Sequence, residues 1–188
     1  KNLAVGLRFL EEAGFRVRLG RRVFDRRGHL AGTDESRAED LNRMLRDPDV
    51  RCVLMARGGF GAMRIADSVD WSAMRRDPKV FAGYSDATFL HLGFQAMAGV
   101  RTLHGPNLYG LGAGTLLEGR AWIAWLTGPN PRDWVRTLEA PRHLIGPSGP
   151  VEGRVFGGNL ALLHYACGTR YAPDLKRGIL FLEEVNEP

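Results

Sequence analysis

Cysteine is scarce in this chain, with two in 188 residues, Cys52 and Cys167. Both sit in apolar segments without the spacing of a zinc site or a redox pair, so a disulfide framework and a cysteine-held metal are excluded and both read as buried thiols. No stretch approaches the roughly 18 apolar residues of a membrane helix. No basic segment followed by an apolar one opens the sequence, so nothing in it directs the protein to a membrane or out of the cytoplasm. Internal repeats and low-complexity tracts are also missing. Aromatics make up only 9% and are not interleaved with the basic residues, although the net charge is +5 and six arginines fall between Arg16 and Arg27. That run reads as a solvated strand-and-turn surface, and no nucleic-acid partner is expected. What is plentiful is apolar side chain, 44%, enough to bury one sizeable core.

The apolar pattern alternates between strand and helix. Leucine, valine and alanine over Asn2–Ala13, closed by Gly14, predict a helix, and Phe15–Leu19 a strand. A helix near Asp34–Arg46 follows, with Ala38, Leu41, Met44 and Leu45 as its buried stripe. Then come a strand over Val50–Ala56, a helix running to Val69, a strand at 80–82, a helix over Thr88–Ala98 and a short strand over Val100–Leu103. This alternation predicts a parallel sheet covered by helices, whose ligands sit at the carboxyl ends of the strands. A helix at Thr115–Leu126 and a strand near Trp134–Leu138 precede the Pro/Gly-rich stretch 141–150. Strands Val151–Phe156 and Gly178–Glu183 flank a helix at Asn159–Cys167. The expected fold is α/β: an N-terminal parallel-sheet domain with flanking helices (1–128), a linker region (129–150) and the start of a second, incomplete domain (151–188).

Gly83-Tyr84-Ser85-Asp86 lies between a strand and a helix, which puts a hydroxyl on a sharp turn beside the positive end of a helix. Ser85 reads as a nucleophile or as a helix N-cap; Ala87 breaks the full Gly-x-Ser-x-Gly form. Arg57-Gly58-Gly59-Phe60-Gly61 also follows a strand and precedes a helix, so its N–H groups can cradle an anion or an oxyanion, or the glycines can serve a tight turn alone. The glycine spacing matches neither the dinucleotide fingerprint nor the Walker loop. Arg57 can pair with a substrate carboxylate or with an acid such as Asp86. Glu183 ends the apolar run Ile179–Leu182 and can orient a base, although Glu184 and Glu187 beside it also describe a wet loop. None of the five histidines, His29, His91, His104, His143 and His164, has a position that recommends it as that base; His104, in a loop after a strand, is the best placed.

These stretches together resemble the LD-carboxypeptidase (muramoyltetrapeptide carboxypeptidase) family, serine peptidase family S66. The likeness runs from Ala31-Gly32-Thr33-Asp34 through Ala38–Asn42, Arg57–Ala62, Asp70-Trp71, Gly83–Thr88 and His104-Gly105-Pro106 to Gly157–Leu163, Gly168-Thr169, Pro173 and Ile179–Pro188. The resemblance implies Ser85 as nucleophile and Glu183 as the acidic triad member. It implies an oxyanion hole from the N–H groups of the Gly58-Gly59 region and of Asp86. A carboxypeptidase also has to hold a free C-terminal carboxylate, which suits an arginine, with Arg57 a candidate, or clustered N–H groups. The resemblance implies no metal and no cofactor, and a homodimer. The reaction implied is release of the terminal D-alanine from L,D-linked murein tetrapeptide during cytoplasmic cell-wall recycling. The alternatives are a microcin C7 immunity-type peptidase and a non-catalytic ligand-binding domain. The family's histidine comes from a Gly-His element well beyond the acidic residue. The 188 residues therefore read as a fragment lacking that C-terminal region and the family's opening strand, and as inactive alone.

Overall fold

The computed structural model describes residues 2–114, 116–128 and 151–185, and the side chains of 116–118 lie outside that description. Helix α1 (Asn2–Glu12) opens the chain and α2 (Asp34–Arg46) follows. The Thr33 hydroxyl caps α2 by accepting from the Ser36 amide at 3.1 Å, with Asp34 and Glu35 in the first turn and Arg43 and Arg46 in the last, each sign where the helix dipole favours it. Strands β1 (Cys52–Leu54), β2 (Val80–Gly83) and β3 (Leu103–His104) form a parallel sheet with β2 at its centre. Between β1 and β2 run α3 (Ala62–Ile65), a short 3₁₀ turn and α4 (Trp71–Arg76); α5 (Ala87–Gly93), continued by a π-helical turn to Ala98, crosses from β2 to β3.

Alternate side chains of β2 enter different cores. Phe81 packs with Leu45, Ile65, Met74 and Leu90 from α2–α5 and with Phe94 from the π-helical turn, whereas Ala82 faces Leu10, Leu108, Leu111 and Trp122. The second face is covered by α1, α6 (Leu108–Ala113) and α7 (Leu116–Thr127). Helices α1 and α6 cross closely because a β-carbon on Gly112 would lie 1.9 Å from the Asn2 carbonyl oxygen. The sheet is thus sandwiched, and its carboxyl ends are free to carry loops.

Four expectations shift, the first being that both cysteines are buried, since Cys167 is exposed and Cys52 only partly buried. Residues 15–19 join no strand among the described residues; Phe15 and Val17 simply lie on the second core. Helix α4 was hidden because six residues carry little periodicity; it is set by Asp70, whose carboxylate accepts from the Ala73 amide at 3.0 Å. Helix α6 was hidden by its glycines and begins at Asn107, which caps the Gly110 amide at 2.9 Å. The expected linker at 129–150, with the strand near 134–138, lies outside the described residues.

Residues 151–188 were expected to be only the start of an incomplete domain, and the structure corrects this. Strand β4 (Arg154–Asn159), helix α8 (Leu160–Ala166) and strand β5 (Gly178–Glu183) build a smaller C-terminal sheet-and-helix unit, with β4 and β5 paired in parallel through six residue pairs from Arg154↔Gly178 to Asn159↔Glu183. Leu163, Ala166 and Tyr171 enter the first core, where the Tyr171 ring lies 5.4 Å from Phe89 and 5.8 Å from Trp71. A buried leucine is worth about 2 kcal/mol, so this contact docks the unit rather than merely touching it.

Candidate active site

Strand β2 ends at Gly83 and the chain turns into α5 within three residues. Ser85 sits at that turn with φ +61°, a left-handed conformation that a residue with a β-carbon rarely adopts and that active sites retain. It is half-buried, and among the described residues its Oγ makes no hydrogen bond. The N-cap alternative fails on geometry: Asp86, not Ser85, precedes the first helical residue, and no side chain caps α5. The turn is held from below, where the Gly83 carbonyl accepts from the Gly105 amide at 3.0 Å and from His91 Nε2 at 2.9 Å.

The glycine loop faces this turn. A β-carbon on Gly58 would lie 3.1 Å from Ser85 Cβ and 3.3 Å from its Oγ, so glycine is what allows the loop to lie against the hydroxyl. Among the described residues the backbone N–H groups of Gly58, Gly59 and Asp86 donate to no protein acceptor. The Asp86 carboxylate, 5% exposed, ties the two loops together by accepting from the Ala62 amide at 2.9 Å. Burial raises its pKa against the pull of the Ala62 and Gly61 amides. The far end of α3 is held as well: Arg64 donates to Asp34, whose pKa is held down to about 2 by Arg64 and Arg37. Replacing Asp86 with Ala strands a buried amide and should destabilise the fold by about 1–3 kcal/mol, whereas Asn, which keeps an acceptor, should cost less. Urea unfolding of both variants measures the difference.

The third group comes from the C-terminal unit. The Asn159 amide donates to Thr88 Oγ1 at 3.0 Å, fixing β4 against the first turn of α5, and Asn159 is in register with Glu183. Glu183 Oε1 is buried without a donor and lies 3.8 Å from His104 Nε2. Burial first, then the charge of Glu184, raises the Glu183 pKa, and burial lowers that of His104. Glu184 does something different: it accepts from Asn159 Nδ2 at 2.7 Å and from the Ala161 amide at 3.1 Å, a structural cap on α8. His91 is buried and neutral, its pKa pushed down to about 4 mainly by desolvation; Nε2–H donates to Gly83, so Nδ1 accepts from Thr102 Oγ1 at 2.8 Å. The unfolded chain takes up that proton near pH 6.5 and the folded one only near 4. Stability should therefore decline as pH falls through that window, by roughly 3 kcal/mol in all, and His91→Gln should flatten the slope in pH-dependent urea melts.

The structure thus brings Ser85, Gly58, Gly59 and Asp86 together and hangs Glu183 beside the same helix. Arg57 pairs with no acid among the described residues, Asp86 included; its guanidinium lies 5.0 Å from the centre of the Tyr109 ring. No described histidine is hydrogen-bonded to Ser85, and His143 and Glu187 lie outside the described residues. The neighbourhood of His104 and Glu183 and the side-chain role of Asp86 carried no sequence signal, because each depends on contacts across the fold. Among the described residues no group of three His, Cys, Asp or Glu side chains is gathered to hold a metal, and no helix is long and apolar enough to cross a membrane. A cavity of about 560 Å³ lined by Lys79, Val100 and Trp125 opens at the opposite, amino end of the strands, away from this site.

The LD-carboxypeptidase N-terminal domain model matches residues 1–105, and the LD-carboxypeptidase C-terminal domain model matches residues 152–188. The second match corrects the reading of a chain lacking the family's C-terminal region, since residues 152–188 belong to it. The chain is 40% identical to the "Probable murein peptide carboxypeptidase" of Bacillus subtilis, covering all of this chain and 59% of that protein. It is 36% identical to the murein tetrapeptide carboxypeptidase of Pseudomonas aeruginosa, covering 99% of this chain and 62% of that one. It therefore spans about three-fifths of the length of these relatives. The fold superposes on the microcin C7 self-immunity protein MccF in its wild-type apo state with a TM-score of 0.86 at 27% identity, over 99% of this chain and 64% of that one. Sequence match, fold and the geometry around Ser85 agree: the chain belongs to the S66 LD-carboxypeptidase family.

Proposed function

We propose that the protein is a serine carboxypeptidase that releases the terminal D-alanine from L,D-linked murein tetrapeptide during cytoplasmic cell-wall recycling. The observation that carries this reading is the left-handed Ser85, its hydroxyl lying against a glycine loop, with neither the hydroxyl nor the Gly58 and Gly59 amides hydrogen-bonded among the described residues. Ser85 Oγ attacks the carbonyl between the L-centre of diaminopimelate and D-alanine, forming the Oγ–C bond as its proton passes to a base. The N–H groups of the Gly58-Gly59 region and of Asp86 receive the negative oxygen, each such donor worth about 3 kcal/mol. The C–N bond then breaks and the base returns the proton to the leaving amine; water, activated by the same base, hydrolyses the acyl-serine. In the family resemblance that base is the histidine of a Gly-His element. Glu183, with an acceptor oxygen that no described donor occupies, suits the role of holding it.

The test incubates the full-length protein with murein tetrapeptide and follows free D-alanine. The likeness to MccF favours one second reading, cleavage of an aminoacyl nucleotide mimic. Turnover of aminoacyl sulfamoyl adenosine without D-alanine release would establish it, and no turnover of either substrate would point to a ligand-binding role.

A further inference from the structure

Arg57 is an exposed cation at the lip of the site with no anionic partner among the described residues. It is nonetheless held. Its guanidinium stacks 5.0 Å from the Tyr109 ring centre, and Tyr109 is fixed by its own amide, which donates to the Ala56 carbonyl at 3.0 Å, while the Leu108 amide donates to Met55 at 2.9 Å. Stacking on an aromatic face leaves the N–H edge of a guanidinium free for two parallel bonds to a carboxylate. The next residue, Gly58, is the one that lies against Ser85. In a peptide, the carbonyl carbon under attack and the carbon of the terminal carboxylate are only three bonds apart, under about 4 Å. A cation one residue from the serine contact is therefore suitably placed for that carboxylate.

Resting on the serine-peptidase reading above, we propose that Arg57, aimed by Tyr109, is the receptor for a free C-terminal carboxylate, so that the site selects peptides ending in a free acid and discriminates against amidated or nucleotide-conjugated ends. Arg57 touches the substrate; Tyr109 acts through it as a positioning residue.

The test separates recognition from chemistry. In the Ser85→Ala chain, binding of N-acetyl-D-alanine and of N-acetyl-D-alaninamide is measured by calorimetry or NMR titration. The acid should bind at least tenfold more tightly than the amide. Arg57→Gln should abolish that preference, Tyr109→Leu should reduce it several-fold, and Tyr109→Phe, which keeps the ring, should restore it. Thermal melts confirm that these exposed substitutions leave the fold intact. An amide bound as tightly as the acid, or a preference that survives Arg57→Gln, overturns the assignment. Because no bond is cleaved, failure of Ser85 as nucleophile would appear separately, as D-alanine release persisting in Ser85→Ala.

Discussion

Replacing Ser85 with Ala should lower kcat for D-alanine release by about 10⁴-fold or more while leaving substrate affinity within a few-fold of the parent protein. The size follows from what alanine removes. The proposed oxyanion donors remain, since the backbone N–H groups of Gly58, Gly59 and Asp86 are not touched by the substitution. Only the covalent route is lost, and with it the division of one difficult step into two easier ones. The fold should not suffer, because Oγ makes no hydrogen bond among the described residues. Alanine still pays the strain of φ +61°, so stability should change by less than about 1 kcal/mol. Glycine at 85 should be slightly more stable and equally inactive, which separates strain from chemistry.

Glu183→Gln should cost about 10²–10⁴ in kcat, with little change in melting temperature. Glutamine matches the glutamate in size and leaves the β4–β5 ladder intact, because the Asn159↔Glu183 register is set by backbone. What it loses is the negative charge that would stabilise an imidazolium. A raised Glu183 pKa also fixes the sign of the pH effect. The acidic limb of kcat should fall at a higher pH than an ordinary glutamate would give, and the Gln variant should lack that limb. Glu184→Gln is the control: its carboxylate, with a lowered pKa, caps α8, so its replacement should reduce stability and leave the pH profile of kcat in place.

The turn at Ser85 was legible because its signal is local: an apolar strand, a Gly-x-Ser step and a helix within a dozen residues constrain the backbone wherever the rest of the chain goes. The same is true of Arg57–Gly61 between β1 and α3. Glu183 was ambiguous in sequence because three carboxylates share its segment. It is separated from Glu184 only by the alternation of β5 and by the docking of β4 on Thr88, a contact 71 residues apart in the chain. His104 could be placed in a loop but not beside Glu183, since that depends on the C-terminal unit settling on α5. Tyr109 sits on a helix that its glycines concealed, so the stacking of Arg57 was out of reach. Phe15–Leu19 shows the opposite error, since its alternation is equally served by a segment that rests apolar side chains on a core without joining a sheet.

The most direct test of the account is covalent labelling of the protein with a fluorophosphonate, followed by peptide mapping and residual-activity measurement. Labelling should place one phosphonyl group on the peptide carrying Ser85, with D-alanine release lost in proportion to labelling and protection by substrate. Full activity in a protein labelled at Ser85, or stoichiometric inactivating label on any other residue, would contradict it.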